Sequence, residues 1–92
     1  MIVVLNDDRV KDVEAYLPIA KAFAADAVAN DEGCISMEVL VDAKTPGRVL
    51  YLSHFESEEA FKNHASGATF QKWLPELGKY VISAEDHFFE VR

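Results

Sequence analysis

Positive charge is what this chain has least of. Nine Lys and Arg stand against 16 Asp and Glu, a formal net charge of −7, and the basic residues nowhere cluster. Such a surface repels a phosphate backbone, which argues against nucleic-acid binding. An anionic membrane surface is disfavoured for the same reason. Cys34 is the only cysteine, so no disulfide forms within the chain, and the residue reads as a small buried hydrophobe rather than a nucleophile. No apolar run approaches the length of a membrane span. Met1 to Asn6 carry no basic leader and too short an apolar run for a signal peptide. The expected compartment is a reducing cytoplasm. No Cys or His pair has metal-ligand spacing and no Gly-rich phosphate loop is present, so the expectation is no metal and no cofactor.

What is there suits a small globular protein. Ninety-two residues make one domain, 1–92, with no room for a cofactor domain beside a substrate domain. Half of them are hydrophobic, which argues against disorder. One small core cannot hide all of that surface, so a partner is expected, most simply a second copy.

Ile2 to Leu5 is an unbroken apolar run that reads as a strand and leads into Asn6, Asp7 and Asp8. Val13, Leu17, Ala20, Phe23, Ala24, Ala27 and Val28 then recur at helical spacing. Pro18 lies inside that pattern, so the reading is an irregular first turn from Asp12 and a regular helix only from Leu17 or Pro18. Asn30-Asp31-Glu32-Gly33 ends it, Gly33 suiting a left-handed position. From Cys34 to Val41 the residues alternate, with Ile35, Met37, Val39 and Val41 on one face and Ser36 and Glu38 on the other. Lys44-Thr45-Pro46-Gly47 is a turn, and Val49 to Phe55 returns as the hairpin partner. A helix started by Ser57-Glu58-Glu59 runs to Ser66-Gly67. A short helical stretch from Thr69 to Leu77, interrupted by Pro75, ends at Gly78. The last strand runs from Tyr80 or Val81 to Val91.

Strand, helix, strand, strand, helix, strand is the order of the ferredoxin-like βαββαβ arrangement, an α+β fold with a four-stranded antiparallel sheet and helices on one face. An antiparallel sheet covered on one side usually alternates apolar with polar. Here Ile2/Val4 and Val3/Leu5 are apolar on both sides, as are Val49/Tyr51 and Leu50/Leu52. The face without helices therefore needs a cover, and a second sheet of the same kind is the simplest one.

His64 follows Phe61 by three residues and Ala60 by four, so it shares their inward helix face. An inward imidazole near a strand that carries His54 can belong to a ligand pocket. The same spacing also fits a core histidine bonded to a backbone carbonyl. His87, between Asp86 and Phe88, reads as a surface or subunit-contact residue.

Taken together, Glu32-Gly33-Cys34-Ile35-Ser36-Met37-Glu38-Val39, Arg48-Val49-Leu50-Tyr51, Ser57-Glu58-Glu59-Ala60-Phe61-Lys62-Asn63-His64 continuing to Phe70, and Tyr16-Leu17-Pro18-Ile19-Ala20 resemble the antibiotic biosynthesis monooxygenase (ABM) domain family of dimeric α/β barrels. The resemblance covers almost the whole chain in order. It implies a homodimer and, for many members, oxygenation of quinols or polycyclic aromatics without flavin, heme or metal. The family also holds heme-degrading oxygenases and an isomerase of a phosphorylated autoinducer, so it implies a fold more firmly than a reaction. This chain departs from it in places. Ser53 and Phe55 stand where members often have Glu and Trp. Asn6 matches the Asn of the heme-degrading branch, but His64 sits where that branch has Trp and Trp73 near where it has His, which argues against heme degradation. Gly67-Ala68-Thr69-Phe70 lacks a second His.

Within that resemblance the chemistry assigns roles. Triplet dioxygen reacts with an aromatic only stepwise, after deprotonation makes the ring a good electron donor. His64 is the candidate base, with His54, which at its strand end reads first as a surface residue, as the next candidate. Asn6 can hydrogen-bond a developing oxyanion, or simply end its strand. Trp73, Phe70, Phe61 and Met37 can wall an apolar pocket, although a Trp in this setting is more often core or interface than substrate wall. The implied partners are a small aromatic substrate and dioxygen. Two other readings stay open: a small-ligand-binding dimer without catalysis, and an isomerase of a small sugar-like metabolite, for which the missing basic cluster is a handicap.

Overall fold

A computed structural model describes residues 1–92. Its elements are β1 (Ile2–Val10), α1 (Val13–Asn30), β2 (Cys34–Val41), β3 (Arg48–Phe55), α2 (Glu58–Ser66), α3 (Ala68–Leu77) and β4 (Val81–Glu90). The strands form one antiparallel sheet in the order β2-β3-β1-β4, the ferredoxin-like α+β arrangement. No helix is long and apolar enough to cross a membrane.

Along β3 the buried residues Val49, Tyr51, Ser53 and Phe55 alternate with half-buried Arg48, Leu50, Leu52 and His54. The buried set points at the helices. Tyr51 and Val49 pack with Tyr16, Ala20 and Phe23 of α1 and Leu77 of α3. Phe55 packs with Val4, Ala27 and Cys34 in a second cluster. Fully burying a side chain such as Phe55 or Val4 contributes about 1.5–3 kcal/mol, so these two clusters set where the helices sit.

Four details differ from the sequence reading. β1 continues through Asn6, Asp7 and Asp8 to Val10 because it is central, paired residue by residue with both β3 and β4. Asp7, on the helix-free face, meets Arg48 at 2.7 Å, and that bond holds the Asp7 carboxyl below its usual range. α1 is regular from Val13, capped by Asp12, which accepts the Ala15 N–H at 3.3 Å. Pro18 sits inside it on the exposed side, where solvent can take the carbonyl left without a helix donor. Pro75 likewise lies within a continuous α3. In β2 the register shifts between Cys34 and Ser36, leaving Ile35 44% exposed. This one-residue bulge lets Cys34 and Met37 both face the helices, so Ile35 does not share the Met37 face.

Gly33 carries two constraints. Its φ of +83° is left-handed, and a Cβ there would lie 2.5 Å from the Ala60 Cβ. α2 therefore approaches the start of β2 as closely as a glycine allows.

Candidate active site

Between the helices and the inner face of the sheet lies a cavity of about 420 Å³. Met37, Phe61, Phe70, Leu74, Leu77 and Val81 supply apolar wall, and Asn6, Asp8, Ser53, His64, Asp86 and the Tyr16–Tyr51 pair supply polar groups. No Lys or Arg lines it.

His64 reaches this cavity from α2, which starts where the Ser57 hydroxyl accepts the Ala60 N–H at 3.1 Å. The imidazole is 7% exposed and ringed by aromatics, its centroid 5.3 Å from Phe55, 5.8 Å from Phe23, 6.3 Å from Phe61 and 6.4 Å from Phe70. Its Nδ1 lies 2.5 Å from Asp31 Oδ2. Asp31 caps the C-terminus of α1, and its other oxygen accepts the Thr69 hydroxyl at 2.7 Å. One carboxyl thus ties α1, α2 and α3 together. An ionised carboxylate only accepts, so a neutral His64 holds its proton on Nδ1. Asp31 lines a separate polar groove and not the main cavity, whereas His64 borders both. With Nδ1 engaged by Asp31, Nε2 is the ring nitrogen left without a hydrogen bond within the chain.

On the sheet side, Asn6 and Asp86 are register partners across β1 and β4, and the Asn6 amide donates to the Asp86 carboxylate. The Tyr16 and Tyr51 hydroxyls meet at 2.5 Å. Burial pushes Tyr16 up to about 12 and Tyr51 higher still, so both remain neutral phenols at physiological pH. Asp8 is 7% exposed and its Oδ1 has no partner. Burial first, then the charges of Asp86 and Asp7, push its carboxyl up to about 6.

The fold thus gathers His64, Asn6, Met37, Phe61 and Phe70 around one space. Two candidates lie elsewhere. His54 occupies the opposite face of β3 because β-strand side chains alternate, and its Nδ1 lies 3.1 Å from the Ser36 hydroxyl. Trp73 turns toward α1, where its indole N–H donates to Asp26 at 2.8 Å; it packs against the core without lining the cavity. Asp31, Asp8, Asp86 and the tyrosine pair were not legible as site residues. Asp31 read only as a turn residue, and nothing in local spacing links it to His64. Asp8 had one signal, its even spacing from Ile2 and Val4, which becomes usable once the strand is known to continue.

The family model of antibiotic biosynthesis monooxygenases matches residues 1–76. The chain belongs to this family. Comparison with curated proteins finds no match. Solved structures share the ABM fold at low identity. A Caulobacter crescentus CB15 protein, provisionally assigned as an antibiotic biosynthesis monooxygenase, superposes with a TM-score of 0.90 at 18% identity, over 99% of this chain and 89% of that one. A conserved Methanosarcina mazei Go1 protein gives 0.84 at 20% identity, over 99% and 92%. A mutant of SnoaB, a cofactor-independent oxygenase from Streptomyces nogalater, gives 0.83 at 16% identity, over 99% and 92%. At these identities the likeness concerns the ABM fold alone.

Proposed function

We propose that this chain is a cofactor-independent monooxygenase acting on a quinol-like or polycyclic aromatic molecule. The observation that carries the reading is the His64–Asp31 pair: a buried imidazole, oriented by a carboxyl at 2.5 Å, on a residue that lines an aromatic-walled cavity. Family membership and the likeness to a cofactor-independent oxygenase support it.

In this reading a hydroquinone lies against Phe61 and Phe70, and Nε2 of His64 takes a phenolic proton. Asp31 offsets the charge the ring then carries. The anion passes one electron to dioxygen, superoxide and the substrate radical recombine at a ring carbon, and the His64 imidazolium returns its proton to the resulting peroxide. Loss of water from the hydroperoxide leaves a hydroxylated quinone. One oxygen atom enters the product, the other leaves as water, and the substrate supplies all four electrons. The apolar wall shields the anion and radical from bulk water.

The homodimer is part of the proposal. Val3, Leu5, Leu50 and Leu52 lie half-buried on the helix-free face of the sheet, together with Leu40 and the 53%-exposed Phe89. A second sheet packed there removes that apolar surface from water. The proposed unit is one domain over 1–92 in the cytoplasm, where the buried Cys34 thiol, pushed up by burial to about 11, stays unreactive.

One observation favours a second reading, a binding dimer without turnover. The Asn6 amide is engaged by Asp86, and the carboxyls of Asp86 and Asp8 oppose a developing oxyanion. The isomerase reading loses ground because no cation lines the cavity for a phosphorylated substrate. Oxygen uptake with a panel of hydroquinones, with chelator present, separates turnover from binding; tight binding without uptake selects the binding dimer.

A further inference from the structure

Of all buried side-chain oxygens and nitrogens in the molecule, Asp8 Oδ1 alone has no hydrogen-bond partner. A buried polar atom left unpaired is unfavourable unless something outside the chain completes it. Asp8 lines the cavity, and its register explains why it is unpaired. On one side stands Val49, on the other Ala84, and neither side chain has a donor to offer a carboxyl. The guanidiniums of Arg9 and its register partner Arg48 lie on the opposite face, Arg48 paired with Asp7 and Asp42.

The cavity is also polarised along its length. His64 packs against Phe55, which is level with Ile2 of β1, whereas Asp8 is level with Val49, six residues along β3. Phe23 stands between them, its ring 5.8 Å from His64 and 6.0 Å from Tyr51. The titratable groups around Asp8 are Asp86 from β4, Tyr51 from β3, Tyr16 from α1 and Asp7 on its own strand. α3 contributes Phe70, Leu74 and Leu77 to the lining, and its C-cap contributes Gly78, all uncharged. Nothing cationic is present, so this end welcomes a hydrogen-bond donor and repels an anion.

We propose that Asp8 contacts substrate: its carboxyl, not fully paired within the chain, accepts a hydrogen bond from a ligand hydroxyl at the end of the cavity opposite His64. The site thereby selects neutral fused-ring phenols hydroxylated at both ends and rejects carboxylated ones. The inference rests on the reading of this cavity as an aromatic-binding pocket, and adds the group that reads the far end of the molecule.

The test is calorimetric binding under nitrogen with four probes. They are a naphthalene diol hydroxylated at opposite ends, the corresponding naphthol, the dimethyl ether of the diol, and the hydroxynaphthoate in which carboxylate replaces one hydroxyl. The wild-type protein is expected to bind the diol about tenfold more tightly than the naphthol, and the ether and the naphthoate most weakly. In Asp8→Ala the diol's advantage over the naphthol disappears, and the naphthoate gains about tenfold. Asp8→Asn, which keeps an acceptor and the side-chain shape, retains part of the diol preference but also admits the naphthoate; it carries the test if the alanine variant fails to fold. A diol preference and naphthoate exclusion unchanged in both variants overturn the role of Asp8 while leaving the aromatic pocket standing. Failure of every probe to bind the wild-type protein overturns the pocket, and the role of Asp8 with it.

Discussion

His64 and Asp31 stand 33 positions apart in the chain and meet at 2.5 Å, Nδ1 to Oδ2. The contact joins the C-terminal cap of α1 to the buried face of α2, and Thr69 of α3 fixes the second carboxyl oxygen. A histidine buried only for packing needs a single acceptor. Here the acceptor is itself oriented, which fixes the tautomer and leaves Nε2 as the nitrogen free to bind.

Asp31→Asn removes the acceptor-only partner, since an amide can donate to Nδ1 as well as accept from it. The expected result is a loss of about 10²-fold or more in turnover, with a melting temperature only a few degrees lower. Steady-state oxygen uptake beside a thermal melt measures both. Unchanged turnover would reduce Asp31 to a helix cap.

Asp8 makes stability depend on pH in a direction opposite to that of an ion-paired carboxylate. Its carboxyl stands at about 6 in the fold against an ordinary 3.8, so the folded state holds the proton more tightly than the unfolded one. The contribution is therefore unfavourable above about 6 and fades as pH falls toward 3.8. Asp8→Asn is expected to raise stability near pH 7 by about 1–3 kcal/mol, allowing for water at the cavity mouth, with a smaller gain near pH 4. Urea titrations of both proteins across that range check the sign; a gain that grows with acidity contradicts it.

Gly33→Ala tests the close approach of α2 to β2. A left-handed φ and a Cβ placed 2.5 Å from that of Ala60 together are expected to cost about 2–4 kcal/mol. Because Asp31 is two residues away, activity is expected to fall along with stability. Chemical denaturation of the variant measures the first effect, and a loss below about 0.5 kcal/mol contradicts the packing described.

Tyr16→Phe and Tyr51→Phe each strand one hydroxyl of a buried pair that meets at 2.5 Å. Each single change is expected to cost about 1–3 kcal/mol, and the double change less than their sum. A double-mutant cycle measures the coupling; strict additivity would mean the two hydroxyls do not support each other.

The fold was legible because both periodicities in the chain are strong. Val49, Tyr51, Ser53 and Phe55 alternate as a half-buried strand must, and Gly33 and Gly47 fall where φ is positive. The delayed helix start at Pro18 and the interruption at Pro75 were misread for one reason: a proline on a solvent-facing turn removes a hydrogen bond that water replaces, so the helix continues. The site was legible only in part. Inward faces identified His64, Phe61 and Met37, because periodicity reports facing. The partners that give His64 its chemistry come from α1 and α3, and tertiary pairing leaves no local pattern. His54 and Trp73 show the complementary error: an aromatic or imidazole close in sequence to a pocket is still excluded when its strand face or helix face turns away.

Oxygen consumption by the wild-type protein and by His64→Ala, with the same hydroquinones and chelator present, tests the central claim most directly. The expected result is uptake of one dioxygen per substrate by the wild type and a drop of about 10²–10⁴-fold in the variant, with His64→Gln equally impaired and both variants still folded. Undiminished uptake by a folded His64→Ala protein would contradict the assignment of His64 as the base.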